Sequence, residues 1–489
     1  MAFNSPQFLF LFLPIVLALA FGVSVVLPRA RNLTLLSASF VFYASAEGRL
    51  AVILAASIVA NYAIGRLLDA VKADRARKTV LFLGILANVG PLVAFKYSSF
   101  LIVNLDRALS LLHLRPIADP GFLLPLGISF FTFKALSYIV EVYRGRTPAG
   151  RNAIHVGLYI SFFPQLLAGP IARFSQMEDD LTKTRVTLST IADGVTRFCV
   201  GLSKKVLIAD VIAQNVDRIF ALRPTDLPCG LAWLGAMAYT LQIYYDFSGY
   251  TDMAVGLSRM FGFACPENFA NPYWSTSIRE FWRRWHMTLS NWLRDFIYIP
   301  LGGNRRGGVR TYINLLVVFL VCGFWHGAGW TFAVWGLYHG CAIVAERSGV
   351  LRWLTERWRL LGHGYAILVV ALGWVVFRSP STSHAARYIG AMFGASTPVR
   401  GILPSAWLMD GEFIVALLIG AVFCVPWREV TRDWGPRLTR GLSFGLRLEM
   451  NCWRPLATGI ARLILLLLLV ASILQIAAGT HSPFIYSRF

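Results

Sequence analysis

Two histidines are candidates for chemistry because each is predicted to have apolar surroundings, where an ionisable side chain is unusual. His326 follows a long apolar run in LLVVFLVCGFWHGAGW, and Gly323 and Gly327 lie close to it in the sequence. Glycine lets another backbone or a ligand approach closely, and a neutral histidine can accept a proton from an attacking group. His326 is therefore predicted to be a general base that substrates reach through a tunnel.

The second histidine, His286, lies in the segment REFWRRWHMTLSNWLRDF. Trp282, His286, Leu289 and Leu293 are spaced to share one face of a helix, with arginines mainly on the other faces. This spacing predicts an amphipathic helix at the cytoplasmic interface with His286 on its buried side. A packing role for His286 stays open, and His339 is predicted to be a packing residue near the site.

Polar residues are concentrated in the otherwise apolar segment 239–340. Ionisable groups at membrane depth are energetically costly, so they are functional hypotheses by default. A packing network between helices is the alternative for each single residue. The members of this polar set are Gln242, Asp246, Ser248, Asp252, Glu280, His286, Asp295, Asn314 and His326.

Several kinds of chemistry have no support in the sequence. It contains no GxSxG elbow, P-loop or GxGxxG fingerprint, so serine-hydrolase, ATP and dinucleotide chemistry are not indicated. The seven cysteines stand singly, without zinc-ligand spacing or a disulfide framework. No metal site is therefore predicted.

The elements that must position these residues are membrane spans. Hydrophobic residues make up 56% of the 489 and charged residues 15%, whereas a soluble domain carries about 25% charged residues. We therefore predict one integral membrane domain over residues 1–489, with its motif core at about 125–345. The segment 155–170 is interrupted by proline and glycine and is a candidate re-entrant segment. Candidate spans lie near 8–27, 33–47, 51–65, 79–96, 121–142, 155–170, 198–221, 230–258, 312–324, 328–345, 364–378, 412–426 and 458–478.

The net charge of +21 comes from basic residues interleaved with apolar spans. Cytoplasmic loops collect Lys and Arg, whereas a nucleic-acid surface needs them clustered on one solvated face. Basic loops predicted to face the cytoplasm include 66–78, 173–187, 279–310, 347–359 and 427–455. The first basic residues, Arg29 and Arg31, follow the first apolar run, which favours a retained first span with the N-terminus outside.

Three motifs together resemble the membrane-bound O-acyltransferase (MBOAT) family. They are YYDFSGYTDMAVG, NFANPYWSTSIREFWRRWHMTLSNWLRDFIYIPLGG and GFWHGAGWTFAVWGLYHG. The similarity is to the bacterial branch that acts in alginate O-acetylation and D-alanyl transfer. It extends through PLGISFFTF and FFPQLLAGPIARF and covers most of the chain, most weakly at 350–450.

The resemblance implies a fold and roles for single residues. The family fold is an all-α polytopic membrane protein, a ring of about eleven or twelve transmembrane helices plus re-entrant helices around a central funnel. His326 matches the catalytic histidine of the WHG motif and His286 the histidine of the WHM motif, and both would line the funnel. The family takes an activated acyl group at the cytoplasmic side and delivers it outward.

The implied donor is acetyl-CoA, which acts as a substrate, and no tightly bound cofactor is expected. Basic cytoplasmic loops would attract such an anionic donor. Arg283, Arg284, Arg305 and Arg306 are candidates to contact its phosphates. Arg305 and Arg306 lie in the run GGNRRGG, which could equally be a turn held on the cytoplasmic side by its charge.

The C-terminal tail, 479–489, ends in FIYSRF and is predicted to lie on the extracytoplasmic side of the membrane. It resembles the FIYFQF-like tail of the small membrane protein that partners the D-alanyl transferase. The matching residue, Tyr486, is implied to relay the acyl group, although Ser487 stands where an aromatic residue is usual. The alternative is an aromatic anchor at the membrane interface.

These features together predict an inner-membrane acyltransferase that helps to acetylate an exported polysaccharide such as alginate. Its expected partners are the donor, membrane lipid, the polysaccharide and an extracytoplasmic acetyltransferase or esterase-like protein that finishes the transfer. Nucleic acid is not an expected partner. The alternatives are D-alanyl transfer to teichoic acid, a polysaccharide or lipid transporter without acyl chemistry, and a structural membrane scaffold.

Overall fold

The computed structural model describes residues 1–27, 30–183, 186–305, 307–351, 358–397, 410–427 and 454–479. All the regular secondary structure in this part of the chain is helical. The all-α prediction is therefore confirmed. Arg306 and Tyr486 lie outside the described residues.

The first half of the chain begins with a π-helical turn, Phe8–Phe12, that leads directly into the first helix. The helices that follow in this half are α1 (Leu13–Val26), α2 (Arg31–Glu47), α3 (Ala51–Ala70), α4 (Asp74–Leu111), α5 (Ile128–Tyr143), α6 (Ala153–Ser161), α7 (Phe163–Leu166) and α8 (Phe174–Lys183). Helices α6 and α7 lie in the segment predicted to be interrupted. The interruption at Phe162, beside Pro164, is confirmed.

The second half contains a 32-residue, largely buried helix and the histidine motifs. A π-helical segment, Lys204–Ala209, joins α9 to α10, and a second one, Arg294–Tyr298, follows α13. The helices are α9 (Leu188–Ser203), α10 (Asp210–Ala221), α11 (Cys229–Met260), α12 (Ile278–Arg284), α13 (Met287–Leu293), α14 (Gly308–His326), α15 (Trp330–Arg347), α16 (Arg359–Arg378), α17 (Thr382–Met392), α18 (Gly411–Phe423) and α19 (Arg454–Ala477).

Five helical stretches in the described residues are long and apolar enough to cross a membrane. They are Arg31–Ala70, Asp74–Leu111, Gly308–His326, Arg359–Arg378 and Gly459–Ala477. This number is below the expected eleven or twelve because other helices are short or carry polar residues. Helix α11, for example, is 32 residues long but holds Asp246 and Asp252 inside the protein. The chain is a multi-pass membrane protein.

Helices α9 and α11 pack backbone against backbone through two facing pairs of glycines. A Cβ atom added at Gly194 would lie 2.7 Å from the carbonyl oxygen of Gly256, and one at Gly249 would lie 2.8 Å from that of Gly201. Small residues allow such close approach of helices in membranes. The α9–α11 pair therefore forms a tightly packed centre for the second half of the chain.

Helices α14 and α15 make a similar contact. A Cβ atom added at Gly323 would lie 3.3 Å from Cα of Gly336, and one at Gly336 would lie 3.2 Å from Cα of Gly323. The close crossing allows Trp335 on α15 to reach the ring of His326 at the end of α14, with 5.0 Å between ring centroids. Packing of these two helices thus sets the position of the first predicted site residue.

Candidate active site

His326 is the last residue of α14, and α4 holds this helix end in place. The last carbonyl groups of a helix have no partner within it. Lys96 Nζ donates hydrogen bonds to the carbonyl oxygens of Trp325 (2.6 Å) and His326 (3.2 Å), and Tyr97 Oη donates to that of Phe324 (2.6 Å). Two neighbouring side chains of α4 thereby cap the helix that carries His326.

Sequence reasoning did not single out Lys96. Its position at the end of the apolar run 79–96 could have indicated a role, because a cation at membrane depth needs a partner there. Carbonyl groups at the C-terminal end of a helix suit a cation, since the helix dipole is negative at that end. The capping partner lies 230 positions away in the chain, so only the fold identifies it.

The continuous amphipathic helix predicted around His286 is wrong. Helix α12 ends at Arg284 and α13 begins at Met287, while His286 takes left-handed backbone angles, φ 44° and ψ 52°. The break follows from backbone hydrogen bonds to another segment. Ala270 N–H donates to Arg284 O and Met287 N–H donates to Asn268 O, each at 3.0 Å. These bonds take groups on both sides of His286 out of the helical pattern.

The structure nevertheless brings the two predicted histidines together. His286 is 0% exposed and His326 is 3% exposed, and their ring centroids are 6.5 Å apart. The indole of Trp325 lies against both rings, at 5.9 Å from His286 and 4.9 Å from His326. Burial lowers the pKa of His286 to about 3. At neutral pH His286 is therefore uncharged and able to accept a proton.

His339 is also fully buried, but an indole separates it from the histidine pair. Its ring centroid lies 5.1 Å from that of Trp335, which in turn contacts His326. The ring of Trp282 packs on it at 5.4 Å. This aromatic surrounding fits the predicted packing role of His339.

A cleft of about 430 Å³ is lined by residues that are near both histidines in the chain, while the two histidines themselves are not among its lining residues. Its lining includes Met287, the residue after His286, and Cys322, one helical turn before His326. The lining also includes four arginines: Arg279, Arg283, Arg294 and Arg347. The cleft thus combines guanidinium groups with apolar walls close to both histidines.

Of the four arginines predicted to contact the donor phosphates, the structure places only some at the cleft. Arg283 is exposed and lines the cleft. Arg284 does not line it and makes an ion pair with Glu280 at 2.9 Å. Arg305 is exposed in the turn before α14 and is not among the lining residues, and Arg306 lies outside the described residues. The other three arginines of the cleft belong to segments that the sequence analysis predicted only to be basic loops facing the cytoplasm.

The fold and site define a multi-pass membrane protein with a buried histidine pair beside an arginine-lined cleft. Residues 118–370 match the model of MBOAT, the membrane-bound O-acyltransferase family. The chain belongs to this family and is an O-acyltransferase. This membership leaves no support for the alternatives of a transporter or a scaffold without acyl chemistry.

Three similar proteins match most or all of the chain. A probable alginate O-acetylase, AlgI, of Pseudomonas putida is 42% identical over the full length of both chains. The peptidoglycan O-acetyltransferase of Helicobacter pylori is 36% identical over 80% of each chain. The teichoic acid D-alanyltransferase of Bacillus subtilis is 28% identical over 64% of this chain and 81% of its own.

Proposed function

We propose that this O-acyltransferase moves an acetyl group from a cytoplasmic donor across the bacterial inner membrane for O-acetylation of an exported polysaccharide. The observation that carries the proposal is the buried pair of His286 and His326, 6.5 Å apart, beside the cleft. The full-length similarity to a probable alginate O-acetylase supports acetyl as the group and a polymer such as alginate as the acceptor. In this arrangement both chain termini lie outside.

Acetyl-CoA is the donor that best suits the cleft. Its phosphates carry negative charge, and guanidinium groups bind phosphate oxygens with paired hydrogen bonds. The apolar lining, which includes Val318 and Phe319, suits the less polar arm that bears the thioester. With the phosphates at the arginines, the thioester would point towards Cys322 and Met287, and so towards the histidines.

Replacing Arg279 and Arg283 together by glutamine is expected to raise the KM for acetyl-CoA about tenfold or more, with kcat little changed. A hydrogen bond to a charged group contributes about 1.5–3 kcal/mol, and glutamine keeps side-chain bulk without the charge. The measurement is the initial rate at which the purified full-length protein releases CoA thiol. Arg223→Gln, at an exposed position away from the cleft lining, is the control. An unchanged KM in the double variant would contradict this donor site.

Beyond the donor, we propose that Tyr486 carries the acetyl group in transit. The phenol oxygen attacks the thioester carbonyl while His326 takes the phenolic proton. The carbon–sulfur bond breaks, and the CoA thiolate leaves and receives that proton. The acetyl ester on Tyr486 then passes, with the extracytoplasmic partner, to a sugar hydroxyl, and the phenol is restored. This step rests on the resemblance of the tail.

Tyr486→Phe is expected to remove O-acetyl groups from the polymer, because phenylalanine keeps the aromatic ring but lacks the attacking oxygen. The measurement is the O-acetyl content of the surface polymer in a deletion strain that carries the variant at the normal membrane level. Ser487→Ala, which leaves the phenol in place, is the matched control in the same tail. Full acetylation by the phenylalanine variant would exclude the relay and leave the role of His326 untouched.

The alternative of D-alanyl transfer predicts a different product in the same experiment. If the surface polymer carried D-alanine esters and no acetyl esters, the transferred group would be D-alanyl and not acetyl. The relative named for that activity is 28% identical, against 42% for the probable alginate O-acetylase. The acetyl reading is therefore the one proposed.

A further inference from the structure

We propose that Asn268 is a positioning residue that holds His286 in the tautomer protonated at Nδ1, which leaves Nε2 as the proton acceptor. Asn268 lies in the loop after α11 and is 2% exposed. Any part that Nε2 of His286 plays in catalysis, in addition to that of His326 as the base, rests on the proposed function. The tautomer itself follows from hydrogen bonds alone.

Backbone donors fix the orientation of the Asn268 amide. The backbone N–H of Thr288 donates to Asn268 Oδ1 at 3.2 Å. Because a backbone N–H can only donate, the atom that faces it must be the amide oxygen rather than the NH₂ group. Thr288 Oγ1 accepts from the backbone N–H of Ile171 at 3.1 Å and directs its own proton to the same oxygen at 2.9 Å.

The ring of His286 faces this oxygen through Nδ1, at a distance of 3.1 Å. An amide oxygen has no proton to give, so Nδ1 must carry one. A neutral imidazole has a single ring proton, and Nε2 is therefore left with its lone pair. Nε2 is buried and has no hydrogen-bond partner among the described residues. It is the ring nitrogen left for a substrate or acyl carrier.

The segment that orients the ring also holds the backbone of His286. The backbone carbonyl of Asn268 accepts from Met287 N–H, and Ala270 N–H donates to Arg284 O. Main-chain bonds thus hold the peptide groups around the left-handed residue, and the Asn268 side chain holds its ring. A single loop therefore fixes both the position and the protonation of His286.

His286 and Asn268 have different surroundings. Mostly aromatic rings, together with His326, contact the His286 ring, whereas the charged groups near Asn268 form ion pairs with one another. The described ring contacts of His286 are with Phe247 at 4.7 Å, Trp325 at 5.9 Å and His326 at 6.5 Å between ring centroids. A polar pocket of about 120 Å³ lies beside Asn268. The ion pairs at that pocket are Arg197–Asp252 at 2.6 Å, Lys204–Asp252 at 2.7 Å and Arg197–Glu267 at 2.7 Å.

The first test reads the tautomer directly and needs no turnover. The full chain is labelled with ¹⁵N-histidine in lipid nanodiscs, and the His286 signals are identified by their loss in His286→Asn. We expect the NMR shifts of a ring protonated at Nδ1 in the native protein. Asn268→Leu, of similar size but without an acceptor, is expected to remove this preference. The proposal would be overturned if the His286 ring were protonated at Nε2 in the native protein, or if its tautomer were the same in the leucine variant as in the native protein.

The second test uses Asn268→Asp, which keeps an acceptor oxygen and adds a negative charge at Nδ1. An adjacent opposite charge raises a histidine pKa by about 1–3 units. The NMR titration of His286 should move upward by that amount, and so should the acidic limb of CoA release from acetyl-CoA. Asn152→Asp, at the exposed cap of α6 where aspartate caps equally well, is the control.

An unshifted His286 titration in the aspartate variant would overturn the positioning role, even if the leucine variant failed to fold. Failure of the proposed function has a different signature. If the native protein released no CoA from acetyl-CoA, the donor would be wrong. The NMR shifts and titration would still decide the role of Asn268.

Discussion

His326→Ala is expected to leave the surface polymer with no more O-acetyl than the deletion strain has. A positioned general base contributes about 10²–10⁴-fold to a rate. The rings of Trp325, Trp335 and Phe377, which lie closest to His326, carry no basic nitrogen, and the ring of His286 lies farther away, at 6.5 Å between centroids. The helix end should persist, because Lys96 bonds to the backbone carbonyl of residue 326 and not to its side chain. The loss would therefore be chemical.

The measurement is the O-acetyl content of polymer from the complemented strain, with the membrane level of each variant determined in parallel. His113→Asn is the control, since His113 is exposed and asparagine tolerates its positive φ of 54°. Normal acetylation by His326→Ala would show that the catalytic assignment is wrong.

Gly201→Leu is expected to prevent accumulation of folded protein, and Gly201→Ala to lower its melting temperature. A Cβ atom at Gly201 would lie 2.6 Å from both Gly249 O and Met253 N, and these are backbone atoms that cannot move aside without displacing α11. Overpacking of one methyl group typically costs about 1–3 kcal/mol. Leucine adds three more carbons in the same direction.

Thermal unfolding of the purified protein in detergent measures the alanine variant, and its level in membranes measures the leucine variant. Gly230→Ala is the control, because it also lies in α11 but a Cβ atom there meets nothing within 4 Å. That variant should keep or raise the melting temperature. Equal melting temperatures for the two alanine variants would mean that the α9–α11 contact is looser than the structure has it.

Part of this site could be predicted from the sequence because the residue types are rare in their setting. A histidine in an apolar run, as at His326, is conspicuous, and its pairing with His286 followed from the family resemblance. Periodicity failed at His286 because backbone hydrogen bonds with Asn268, which accepts, and Ala270, which donates, override the helical pattern. Such bonds join segments that are separate in the chain, and the amphipathic spacing of residues cannot predict them.

The contacts between helices also could not be predicted from the sequence. Gly194 and Gly201 are spaced by seven residues in α9, as are Gly249 and Gly256 in α11, but which glycine faces which depends on how the two helices cross. Likewise, an isolated lysine at the end of an apolar run indicates that a partner is needed. It does not indicate that the partner is the carbonyl end of the helix that carries His326.

The left-handed backbone at His286 limits which amino acids can occupy the position at all. Most residues lose about 1–2 kcal/mol in that conformation, whereas asparagine, aspartate and glycine adopt it at lower cost. A glutamine or alanine scan would thus mix backbone strain with the missing imidazole and overstate the catalytic part. Asparagine is the cleaner probe. The same steric filter confines sequence drift at this position to a handful of residue types, whatever the chemistry of the ring.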